Sequence, residues 1–115
     1  MTSAAEPISV RYEGPGVATE IWGMTQANFT VQVPGRNAKE VAVQLNDAAA
    51  RYLAEQLGEE NTPAFRKAAA QHAGRFWVEQ LVTVHDHPLD SAITMSRGTL
   101  DEHPEILEHL KRTRV

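Results

Sequence analysis

Residues 29–58 read FTVQVPGRNAKEVAVQLNDAAARYLAEQLG, and the spacing of their apolar positions decides the fold. Before Pro34-Gly35 every second residue is apolar. Phe29, Val31 and Val33 alternate with Thr30 and Gln32, the pattern of a half-buried strand. After it the step lengthens. Val41, Leu45, Ala48, Ala49, Tyr52 and Leu53 recur three and four apart, with Lys39, Glu40, Asn46, Asp47, Arg51 and Glu55 largely opposite, so the spacing predicts an amphipathic helix. Asn37 followed by Glu40 resembles a capping box, which starts that helix at Ala38. Gly58 is placed to close it after Leu57 in the left-handed conformation, and the alanines at 48–50 let it sit close on a sheet.

Upstream, Ile8, Val10 and Tyr12 alternate with Ser9, Arg11 and Glu13, a first strand. Gly14-Pro15-Gly16 suits a type II turn, with Pro supplying the fixed φ and Gly the positive one. The chain then reverses into a second strand over 17–24, with Val17, Thr19 and Ile21 on one side and Glu20 and Trp22 on the other. A further reversal near Gly23 and Asn28 leads to the strand at 29–33. Three such segments make an antiparallel meander with one apolar face.

Downstream, Thr62-Pro63 opens another helix, with Thr as N-cap and Pro at N1, where a missing N–H costs nothing. Its stripe is Phe65, Ala68, Ala69, His72, Ala73, Phe76, Trp77 and Leu81, and His72 on it reads as a core histidine. Gly74 inside the helix costs about 1 kcal/mol against Ala, or marks a close contact. The short link at 59–61 makes the two helices an αα-hairpin on the sheet. Residues 81–84 fit either a last helical turn or a strand start, and His87-Pro88 ends any helix. A short fourth strand fits 92–95, and a final helix over 102–112 presents Ile106, Leu107 and Leu110 on one face. The expected fold is therefore α+β: an N-terminal three-stranded antiparallel meander packed by two amphipathic helices, then an irregular C-terminal segment with a short last helix. Residues 1–7 read as a flexible lead, 8–112 as a single α+β domain, and 113–115 as a tail.

The chain has 115 residues, ordinary for one domain. Its net charge of −4 argues against nucleic acid and anionic membranes as partners, since both reward clustered Lys and Arg. With no cysteine it has no disulfide, thiolate metal site or thiol nucleophile, which suits the cytoplasm. Residues 1–7 lack the basic and apolar regions of a secretory signal, and the longest apolar runs fall far short of the roughly 20 residues that cross a bilayer.

No motif specifies a reaction. The one constellation with chemical content is His85-Asp86-His87 with Asp90. In an extended segment both imidazoles share a face, the beginning of a transition-metal site that Asp90, His103, Glu105 or His109 could complete. The same histidines could act as general acid or base, oriented by Asp86 or Asp90. No Gly-rich phosphate loop, nucleophile elbow or H-E-x-x-H motif accompanies them.

The other informative residues are apolar. Trp22 and Met24 fall on the outer face of the meander, and Trp77 lies near the edge of its helical stripe. Large apolar groups on an outer face imply a second layer or a partner. Either residues 85–112 fold over that face, or copies of the chain pair across it and along the open sheet edges. The leading expectation is a non-enzymatic interaction or assembly protein, a homo-oligomer or a subunit of a larger particle, with Trp22, Met24 and Trp77 at the interface. The second is a small enzyme or metal-binding protein using His85 and His87.

Overall fold

The computed structural model describes residues 8–15, 23–84 and 89–113. Strands β1 (Ser9–Pro15), β2 (Met24–Gln32) and β3 (Lys39–Asn46) are followed by helices α1 (Asp47–Leu57) and α2 (Pro63–Thr83). Strand β4 (Ala92–Met95) and helices α3 (Arg97–Glu102) and α4 (Glu105–Thr113) complete the chain. The first three strands are successive antiparallel neighbours, and β4 lies parallel to β3, giving the order β1-β2-β3-β4. A tight hairpin cannot deliver a parallel neighbour, so the α1–α2 pair serves as the crossover. The α+β class and the antiparallel start hold, but the sheet is four-stranded and mixed.

The strand that was expected at 29–33 is longer. β2 runs from Met24 to Gln32 with Thr25, Ala27, Phe29 and Val31 all buried on one side. Thr25 and Ala27 are small, and so the alternation becomes conspicuous in the sequence only at Phe29. Most of the strand expected over 17–24 lies outside the described residues. Gly14 is no turn residue here. It pairs with Asn28 inside β1, after a bulge that leaves Glu13 without an opposite number, and its φ of 119° is a value that favours glycine.

The largest correction concerns residues 38–46. They form β3, not the first two turns of a helix. Val41 and Leu45 are four apart, which suits one helical turn and equally two strand repeats. Val43 between them decides the matter: Val41, Val43 and Leu45 are all buried against the helices, while Ala42, Gln44 and Asn46 face the other way. Two of the three are β-branched, which favours the extended chain. Helix α1 starts at Asp47, and its N-cap is Asn46, whose Oδ1 accepts from the Ala48 N–H at 2.8 Å. The expected end is where it was placed. Gly58 adopts φ 68°, and the Glu59 and Gly58 N–H groups donate to the Ala54 and Glu55 carbonyls, a Schellman closure.

Helix α2 begins as its caps dictate, with the Thr62 hydroxyl accepting from the Phe65 N–H at 3.0 Å and Pro63 in the first turn. It crosses β1, β2 and β3 and buries Phe65, Ala69, Ala70, Ala73, Gly74, Trp77 and Val78. Gly74 sets the depth of this packing. A Cβ there would stand 3.1 Å from Phe29 Cε2 and 3.2 Å from Val43 Cβ. His72, expected in the core, is exposed, because the buried stripe keeps Ala69, Ala73 and Trp77 but widens toward Ala70, Gly74 and Val78 and away from His72.

The final helix expected over 102–112 is α4, which starts at Glu105, and a further short helix, α3, precedes it. Ser96 and Thr99 cap α3 reciprocally, and Pro104, which cannot donate an N–H, separates it from α4. Residues 92–113 do not cover the outer sheet face. β4 joins the sheet, and α3 and α4 join the helix layer against α1 and α2, with Ile106 and Leu110 fully buried. One core therefore lies between the helices and one side of the sheet. Burying a side chain such as Leu53, Phe29 or Ile106 contributes roughly 1.5–3 kcal/mol each.

Candidate functional site

Every described helix packs on the same side, and among the described residues the opposite face of the sheet carries only its own side chains. Strand alternation puts the even residues of β2 and β3 there, and register sets them in rows: Gln26 opposite Gln44, Asn28 opposite Ala42, Thr30 opposite Glu40. β4 extends two rows, with Ala92 beside Ala42 and Thr94 beside Gln44. The surface is polar, and the middle of the sheet is low because alanines occupy it.

Its side chains are tied to one another. Gln26 donates to Asn28 Oδ1 at 2.8 Å and accepts from Gln44 Nε2 at 3.3 Å. Arg11 Nε contacts Glu13 Oε2 at 2.7 Å. That hydrogen bond, with another from Thr30, holds the Glu13 carboxyl below the usual carboxylate range. Toward this end the face sinks into a shallow depression of about 680 Å³, where Arg11, Glu13, Asn28, Thr30, Glu40 and Ala42 meet. The arrangement offers hydrogen-bond donors, acceptors and charges of both signs to a polar surface.

The sheet edges are less available. On β1 the Arg75 guanidinium donates to the Val10 carbonyl at 2.5 Å, and β4 is only four residues long, two ways in which an edge is blunted. Lys39 Nζ donates to the Leu89 carbonyl and ties down the approach to β4.

The residues singled out from sequence scatter. Met24 opens β2 on the outer face, half-buried, opposite Asn46. Trp22, His85 and His87 lie outside the described residues. Trp77 is 5 % exposed, packed in the core with its ring 4.3 Å from that of His103. Asp90 is exposed just before β4, whereas His109 lies on α4 flat against Phe76, with ring centroids 4.3 Å apart. Glu105, expected beside His109, approaches His103 Nδ1 at 3.4 Å. Among the described residues no three His, Asp or Glu side chains are gathered where they could hold a metal ion.

Sequence reasoning missed the polar grid because it read 38–46 as a helix. The signal was present in the alternation of Ala42, Gln44 and Asn46 with Val41, Val43 and Leu45. Compared with known protein families, curated proteins and solved structures, the chain matches none.

Proposed function

We propose that this is a non-enzymatic interaction or assembly protein, a homo-oligomer or a subunit of a larger particle, and that it binds through the bare face of its sheet. The observation that carries this reading is the one-sided packing among the described residues: helices close one face and the β1 and β4 edges are blunted, while a broad hydrogen-bonding surface is left over. Such a surface suits a wet, polar contact more than an obligate apolar one. Small Ala42 and Ala92 at its centre let another backbone or side chain approach closely. Among the described residues no helix is long and apolar enough to cross a membrane. The net charge of −4 disfavours nucleic acid, and the absence of cysteine is in keeping with the cytoplasm.

Light scattering over a range of concentrations tests the self-associating form. The purified chain is expected to exceed its monomer mass, and Ala42→Arg, which places a charged side chain in the middle of the face, is expected to return it to monomer with unchanged circular dichroism. A strict monomer at every concentration would remove that form.

A further inference from the structure

The three histidines among the described residues gather where α4 docks on α2. His109 of α4 lies flat on the Phe76 ring, with centroids 4.3 Å apart and planes 15° apart. His103, at the α3–α4 junction, is tilted against Trp77 at 4.3 Å. His72, on α2, stands one turn before Phe76. We propose that this seam is an acid-operated latch, in which protonation of His109 loosens α4 from α2.

The geometry supplies the reason. A neutral imidazole can lie half-buried on a phenyl ring, but an imidazolium needs water, and Phe76 withholds it from one face. Arg112, one turn further along α4, and His72, from α2, repel a charge at that position. Glu79 of α2 attracts it, as does the π face of Phe76, but Arg75 approaches the Glu79 carboxylate at 4.0 Å. Burial is the largest influence and pushes the His109 imidazole below its ordinary value; Arg112 and His72 push the same way, against Glu79. His103 is differently placed. Glu105 stands 3.4 Å from its Nδ1, and the release is assigned to His109.

The sign follows from proton binding. A histidine whose value is depressed by docking binds fewer protons in the docked state. Docking is therefore fully favoured above the ordinary histidine value of 6.5 and loses ground as pH falls below it. Undocking would uncover Ile106, Leu110 and the Phe76 ring. The sheet face plays no part, so either reading can fail alone.

Amide exchange of the intact chain tests the latch, with protection factors corrected for intrinsic pH dependence and histidine titrations followed by NMR from about pH 7.5 to about pH 5. In the wild type, His109 is expected to titrate below the ordinary histidine range and α4 to lose protection selectively in acid. His109→Phe, which keeps the ring stack without the charge, is expected to hold α4 protected throughout. Arg112→Gln is expected to raise the His109 titration and weaken the acid effect, and it decides the matter if His109→Phe does not fold. Unchanged α4 protection in the wild type, equal acid loosening in His109→Phe, or no response of His109 to Arg112→Gln would overturn the proposal.

Discussion

Gly74 shows how one missing side chain sets the spacing of two layers. Replacing a helical Gly by Ala ordinarily gains about 1 kcal/mol. Here the added methyl meets the Phe29 ring edge and the Val43 Cβ, and both residues are buried on central strands. Overpacking of this kind costs about 1–3 kcal/mol. Gly74→Ala is therefore expected to lower stability by about 1 kcal/mol in urea unfolding, and a gain would show that α2 can lift off the sheet freely. The sequence signalled a close contact at Gly74 because a helix interior rarely keeps glycine without cause. It carried no such signal for Trp77: a Trp on an apolar stripe looks the same whether it ends in the core or at its rim. That distinction rests on α4 and His103, which arrive from 26 residues along the chain, counting Trp77 to His103.

At the level of elements, legibility followed the strength of local signals. α2 was readable at its start because Thr62-Pro63 caps it, and in part along its stripe, where Phe65, Ala69, Ala73 and Trp77 are buried as expected while His72 is not. The end of α1 was readable from Gly58. Its beginning was not, since Val41 and Leu45 satisfy both periods and Asn occurs at 37 and at 46. Tertiary packing made the choice: Val41, Val43 and Leu45 complete a face that only a strand can present to α2. The two asparagines provide a direct check. Asn46→Ala removes the hydrogen bond to the Ala48 N–H and is expected to cost about 1 kcal/mol. Asn37→Ala, in an exposed connection between β2 and β3, is expected to fall within about 0.5 kcal/mol of wild type in the same denaturation experiment. The reverse ranking would place the helix start at Ala38. The parallel placement of β4 was also out of reach, because nothing in residues 92–95 specifies which strand they join or in which direction.

At the scale of the molecule, the described residues divide the labour between a closed side and a bare one. The helix layer and one sheet face share all the large apolar side chains of the core, so stability resides there. The opposite face carries amides, Thr30, Thr94 and an Arg11–Glu13 pair, groups that contribute little to folding but present many hydrogen-bonding atoms. Of this candidate site the sequence revealed Met24, the outward parity of β1 and that of Thr30 on β2. The rest depended on β3 and β4 standing side by side, a long-range arrangement. The measurement that most directly tests the account is NMR dilution of the chain, following the side-chain amides of Gln26, Asn28 and Gln44. If the bare face is the binding surface, these signals shift with concentration together with the amides of β2 and β3, while those of α1 and α2 stay fixed. Shifts confined to the helices or to the β1 edge, with the three side-chain amides unmoved, would contradict it.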